Sequence, residues 1–292
     1  MYPDLIEIGN FTISSFGAML FVAFVVAAWV AGIQLERRGF ERELIWDMVP
    51  WLAIGGIVGA KLYYVGLHWQ DLVANPVGTL FSRGGLVWYG GFIGGAAAFV
   101  WQVRRRRLPL APMFDSVAPS LALAYAIGRI GCFLVGDDYG LPTESWVGIA
   151  FPDGTPPSTA GNLRAIGAEI PASVADWEVL AVHPTQLYEV GAALIMFAIL
   201  WRVSRRALAV GQLFGLYLAL YGIERFMIEF VRAKGDRYVF GLTTSQVASM
   251  VVLGLGIYLW YRRTEGRDTA AETGQATARP AESAAAAGRP SE

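Results

Sequence analysis

Apolar residues in this chain come in blocks of about twenty, the length an α-helix needs to cross the hydrocarbon core of a bilayer. Seven blocks can be marked, at about 14–34, 46–67, 86–103, 113–135, 184–201, 210–230 and 243–261. A soluble helix of that length would break its apolar run every few residues with a polar face. Only 16% of the residues are charged, against roughly 25% in an average soluble domain. The predicted fold class is therefore an all-α polytopic membrane protein with seven transmembrane helices.

The basic residues fall on alternate connections. Arg37, Arg38 and Arg42 follow the first block, Arg104 to Arg107 the third, Arg202, Arg205 and Arg206 the fifth, and Arg262, Arg263 and Arg267 the last. The opposite side holds only Arg83, Arg164, Arg232, Lys234 and Arg237. Cytoplasmic loops carry the excess of Lys and Arg, so thirteen cations against five place the N-terminus outside and the C-terminus in the cytoplasm. Asp4 and Glu7 stand where a secretory leader would be basic, and no cleavable signal is expected.

This pattern divides the chain into spans one to four (1–135), an outer-face, periplasmic head (136–183), spans five to seven (184–263) and a tail (264–292). The head is too long for a simple turn. The tail is rich in Ala, Gly, Glu, Thr and Pro and is expected to be disordered. A net charge of −1 gives no field to attract nucleic acid, and the single Cys132 excludes an intramolecular disulfide. Two histidines and that cysteine make no convincing metal site.

Ionisable residues inside spans are expensive and mark functional candidates. Lys61, Arg129 and Arg225 are the cations in question. Tyr221, Arg225 and Glu229 are spaced by four and share a helix face, and Arg225 can pair with Glu229 along it. Such a pair can also serve only to lock a bundle. Arg129 precedes Cys132-Phe133-Leu134-Val135-Gly136-Asp137-Asp138, where a span ends in glycine and two carboxylates. Arg129 and Arg225 together make a clamp for a lipid phosphodiester, because the guanidinium fork matches phosphate. Asp137 can orient one of them or accept a proton, whereas Asp138 reads as a solvated turn residue.

Tyr89-Gly90-Gly91 opens the third span. Its glycines admit a close helix or a lipid head group, and packing is the commoner cause. Tyr89 also fits an ordinary interfacial aromatic belt. His183-Pro184-Thr185-Gln186-Leu187-Tyr188-Glu189 opens the fifth span. His183 can be a base or a simple hydrogen-bonding group, and Glu189, inside the span, needs a partner such as an arginine. There is no nucleotide-binding loop and no serine nucleophile elbow.

Taken in order, these blocks resemble the prolipoprotein diacylglyceryl transferase family from about residue 5 to 262. The match rests on Ser15-Phe16-Gly17, Gly59-Ala60-Lys61, Tyr89-Gly90-Gly91, Gly128 to Gly140, His183 to Glu189 and Tyr221 to Arg232. Phe16 stands where many members have Tyr, and Tyr89 where many have His. Cys132-Phe133-Leu134-Val135-Gly136-Asp137 replaces the usual Asn-Phe-x-Asn-x-Glu. The resemblance implies an enzyme of the bacterial inner membrane. Its reaction moves a diacylglyceryl group from phosphatidylglycerol to the lipobox cysteine of a secreted preprotein. Glycerol phosphate leaves, and neither metal nor other cofactor is required.

On that resemblance Arg129 and Arg225 neutralise the leaving phosphate. Glu229, Asp137 or Tyr89 accepts the proton of the acceptor thiol, whose thiolate is the nucleophile. Tyr221, Gly90, Gly91, His183 and Glu189 line the substrate site. The rival readings are a diverged paralogue that binds phospholipid or modifies another acceptor, and a transporter. The transporter lacks support from an internal repeat. The charge asymmetry is directly testable. Reporter fusions at Arg105 and after Arg263 should both report cytoplasm; a periplasmic signal at either one contradicts the topology.

Overall fold

A computed structural model describes residues 2, 4–8, 11–81, 87–232, 237–239 and 241–262. The expected disorder of the tail from Thr264 lies outside these residues, as do Arg83 and Lys234 of the charge count.

The chain opens with a hairpin, β1 (Asp4–Ile8) and β2 (Phe11–Ser14), then α1 (Ser15–Glu36) and α2 (Leu44–Leu67). Two short helices, α3 (Trp69–Ala74) and α4 (Pro76–Phe81), precede α5 (Trp88–Arg105) and α6 (Leu110–Val135). Next come β3 (Ile149–Ala150), α7 (Ala160–Ala165), β4 (Ala181–Val182), α8 (Thr185–Val203) and α9 (Gln212–Ile228). A hairpin of β5 (Arg237–Val239) and β6 (Leu242–Thr243) leads into α10 (Thr244–Tyr261). Each two-stranded sheet is antiparallel.

A long helix thus stands at each of the seven apolar blocks. Five of them, α1, α2, α6, α8 and α10, are long and apolar enough to cross a membrane, and the chain is a mostly helical, multi-pass membrane protein. The other two fall short for reasons visible in their residues. α9 has 17 residues, and α5 is diluted by four glycines, Gln102 and two terminal arginines. The short helices α3 and α4 and the three hairpin-like sheets have no counterpart among the predicted elements.

The helices are apolar on the outside. Phe21 and Trp29 on α1, Ile57 and Leu62 on α2, Phe92 on α5, Ile195 on α8 and Val251 on α10 are all exposed. The buried positions include polar residues: Gln34, Gln102, Asp115, Gln186, Glu189 and Glu229. A water-soluble bundle would invert this arrangement, because large exposed apolar faces aggregate in water.

Two compact units are distinguished. One is built from the described residues up to Val30 and from Val117 to Arg262, and the other from those between Ala31 and Ser116. In the second, α2 and α5 cross at glycines. A Cβ on Gly59 would meet the Gly90 carbonyl and lie 2.8 Å from the Gly94 Cα. Gly90 is buried here against Gly59 and Tyr63, so helix packing accounts for this glycine. In the first unit, α9 and α10 cross in the same manner, with Gly222 facing the Ser249 backbone and Gly256 facing Ala219. Ala118, Ala122, Met196, Leu200 and Leu213 form the apolar centre of α6, α8 and α9. Residues 136–183 fold around a smaller core of Tyr139, Phe151, Leu163, Ala168 and Val182.

Close glycine contact between helices predicts a graded response to bulk. Gly94→Val should lower the unfolding midpoint in detergent by an amount equivalent to about 1–3 kcal/mol, the usual cost of overpacking. Gly66→Ala, where nothing lies within 4 Å, should cause no loss, since Ala is favoured over Gly inside a helix. Equal midpoints for the two variants would contradict the packing account.

Candidate functional site

Three helix ends and one turn position the charged residues of the first unit. α6 carries Tyr125 and Arg129 and stops at Gly136, whose φ of 73° only glycine adopts without strain. The amides of Gly136 and Asp137 both donate to the Cys132 carbonyl, closing the helix end. Asp138 follows in the left-handed region, φ 59°, which Asp tolerates better than most residues. Backbone bonds then tie this turn to its neighbours. Gly140 N–H donates to the His183 carbonyl at 2.8 Å and Leu141 N–H to the Val231 carbonyl at 2.8 Å. The Thr185 hydroxyl donates to the Asp138 carbonyl at 2.8 Å, and Gln186 Nε2 to the Asp137 carbonyl at 2.5 Å. The turn after α6, the start of α8 and the residues after α9 are therefore one stitched block.

Within that block four side chains close a ring of charge. Arg129 contacts Glu189 (Nε to Oε2, 2.9 Å) and Asp138 (Nη1 to Oδ2, 2.8 Å). Arg232 contacts the same two carboxylates, Asp138 at 2.5 Å and Glu189 at 3.5 Å. Glu189 has a fully buried side chain, while Asp138 is 43% exposed. Glu189 thus finds the arginine partner its place in a span demands. The Arg129–Glu189 contact is an ion pair rather than an aligned hydrogen bond, since neither atom meets hydrogen-bond geometry. Arg129 also lies over the Tyr125 ring, 5.4 Å from its centroid, a cation–π contact.

The Tyr125 hydroxyl extends the network. It donates to Glu189 Oε1 at 2.9 Å and reaches Glu224 Oε1 at 3.4 Å, while its ring meets that of Tyr221 edge-on at 5.8 Å. Tyr221 in turn stacks on Tyr217. Beside Glu224, Arg225 pairs with Glu229 at 2.9 Å along α9 and donates to the Ser245 hydroxyl at 3.2 Å. Its second terminal nitrogen, Nη1, is buried with no hydrogen-bond partner. α8 and α9 also border an apolar cavity of about 380 Å³, lined by Ile195, Met196, Leu220, Met227 and Ile228, with Glu224 the acidic residue on its wall.

Sequence and structure differ over the two aspartates. Asp138, expected to be a solvated turn residue, binds both Arg129 and Arg232, because its left-handed backbone swings the carboxylate back over the end of α6. Asp137, expected to orient an arginine or accept a proton, forms no arginine pair among the described residues and has Oδ1 buried without a partner. Burial raises its carboxyl above the ordinary aspartate range, and the charge of Asp138 raises it further. His183 places Nδ1 3.2 Å from the Tyr188 hydroxyl. Tyr89, Gly90 and Gly91 belong to the other unit, where Tyr89 is exposed and Gly91 sits 3.5 Å, measured from an added Cβ, from the Gly56 carbonyl. Arg232, Tyr125 and Glu224 were missed as site residues. Arg232 was a loop cation by position, and nothing in the spacing ties Tyr125 to α8. Among the described residues, no group of three or more His, Cys, Asp or Glu is arranged to hold a metal ion.

Apolar helices enclosing a network of ionised side chains define a multi-pass membrane protein with a buried charged site. The chain belongs to the prolipoprotein diacylglyceryl transferase family, whose sequence pattern matches residues 3–262. It is similar to the phosphatidylglycerol–prolipoprotein diacylglyceryl transferase of Clostridium tetani, with 33% identity over 89% of this chain and 97% of the relative. The enzyme of the same name from Pseudoalteromonas atlantica is 30% identical over 93% and 92% of the two chains. That of Trichormus variabilis is 33% identical over 87% of each.

Removing one member of the ring should expose its asymmetry. Glu189→Ala leaves two buried guanidiniums short of a partner, and breaking a buried pair costs about 3–5 kcal/mol. Asp138→Ala should cost about 1 kcal/mol or less, since water reaches that position and exposed pairs contribute little. Unfolding midpoints in detergent measure both. Equal losses would show that the ring does not depend on its buried member.

Proposed function

We propose that this protein transfers the diacylglyceryl group of phosphatidylglycerol to the lipobox cysteine of secreted preproteins, forming a thioether. The observation that carries this reading is the buried, unpartnered Nη1 of Arg225, on an arginine beside the Arg129 network. A donor aimed into a low-dielectric site is suited to a phosphate oxygen as negative charge grows on it. The lipid phosphodiester binds through Arg225 and Arg129, and glycerol phosphate leaves from that position. Tyr221 supports the Arg225 face. His183 and Glu189 border the lipid. The lipid supplies both the transferred group and the leaving group, so the reaction draws on no metal or nucleotide.

The same reading sets the protein in the inner membrane with seven spans, α5 and α9 included. The N-terminus is outside, residues 136–183 form a head on the outer face, and the tail is cytoplasmic. The positive-inside distribution of arginines supports this placement, which brings the site to the leaflet where secreted substrates emerge.

Labelled phosphatidylglycerol and a lipobox peptide test the activity directly. Label should pass to the peptide thiol, and a folded protein that moves none would refute the reading. Arg225→Lys keeps the charge but loses the planar fork. Loss of a transition-state donor costs about 10²–10³ in rate, so turnover should fall by that order at matched protein levels. Near-wild-type turnover would mean that Arg225 only pairs with Glu229.

A further inference from the structure

Transfer to a thiol needs a group that takes the thiol proton, and the network restricts which carboxylate is available. Glu189 and Asp138 are each held by two guanidiniums, and Glu229 by Arg225. An arginine-paired carboxylate is committed to its pair and makes a weak base. Glu224 differs. No guanidinium lies within 4 Å of it among the described residues, and its one hydrogen bond is the long contact from Tyr125, whose single phenolic hydrogen lies closer to Glu189. Its other oxygen, Oε2, is buried without any partner. Glu224 also lines the apolar cavity between α8 and α9, which gives a substrate donor a route to this side chain.

Resting on the transferase reading above, we propose that Glu224 is the catalytic proton acceptor, with Tyr125 as the residue that positions it. The acceptor S–H bond breaks and its proton passes to Glu224 Oε2. The sulfur electron pair forms the new C–S bond to the glyceryl carbon. The C–O bond to phosphate breaks with its electron pair left on the phosphate oxygen, and the proton leaves Glu224 for the departing glycerol phosphate. The groups that face Glu224 are Tyr125 and Arg129 from α6, Tyr188 and Glu189 from α8, and Tyr221 and Arg225 on its own helix. This assignment displaces Glu229 and Tyr89 as the acceptor, and takes Glu224 over Asp137 because Asp137, though its Oδ1 is also unpartnered, is not among the residues lining the cavity.

The test uses full-length protein in vesicles containing phosphatidylglycerol, with a lipobox peptide carrying either cysteine or selenocysteine. A selenol ionises at neutral pH without help, so it bypasses a missing base. Wild-type protein should modify both peptides; if it is folded and modifies neither, the transferase reading itself fails. Glu224→Gln should lower kcat on the cysteine peptide by about 10²–10⁴, the usual contribution of a general base, with KM for the lipid nearly unchanged. On the selenocysteine peptide most of that loss should vanish. Glu224→Asp, which keeps a carboxylate, should retain a measurable part of the cysteine activity and guards against misfolding of the Gln variant. Equal losses on both peptides, or full turnover by Glu224→Gln on cysteine, would overturn the assignment.

Discussion

Two guanidiniums share two carboxylates at the end of α6, and the organisation of the first unit depends on that exchange. An isolated charge within a bilayer costs several kcal/mol, so Arg129 and Arg232 are held in a buried setting chiefly by Glu189, with the more exposed Asp138 as their second partner. The four side chains come from different parts of the chain: the last turns of α6, the turn after it, the start of α8 and the loop after α9. The backbone bonds among Gly140, Leu141, His183 and Val231 hold the last three of these segments. Charge pairing and backbone pairing therefore support one geometry.

The remaining helix contacts use a different principle. Lipid chains are as apolar as the side chains that face them, so association cannot rely on hydrophobic burial. α2 with α5 and α9 with α10 instead approach through glycines, where backbone meets backbone. This explains why glycine-rich stretches that look like ligand loops in one dimension can be packing surfaces in three. Gly90 is such a case, buried against Gly59 and Tyr63. Small residues set the helix spacing, and the charged network occupies helix ends where the chain has polar backbone to offer.

α9 shows how one helix can present three chemistries. Tyr221, Arg225 and Glu229 follow the four-residue repeat down one face, and the Arg225–Glu229 pair is the consequence. Gly222 and the positions near it turn toward α10. Glu224, one residue from Arg225, turns toward α6 and the cavity by α8. Adjacent residues on a helix are about 100° apart, so neighbouring charges in sequence take different partners.

Much of this was legible in one dimension. Apolar blocks located all seven long helices, five of which are long and apolar enough to cross a membrane, because a run of apolar residues is a property of the chain independent of tertiary contacts. Four-residue spacing foretold the Arg225–Glu229 pair, since helix geometry alone brings i and i+4 together. The cost of an unpaired buried acid foretold an arginine partner for Glu189. What the sequence could not determine was which arginines and which aspartate. Arg129 and Arg232 are 103 positions apart and Asp138 is next to the more plausible Asp137; only the left-handed turn at Asp138 and the stitching of three segments select them. Tyr125 and Glu224 became visible for the same reason. Their contact spans 99 residues, and no local periodicity encodes a meeting that depends on how α6, α8 and α9 pack.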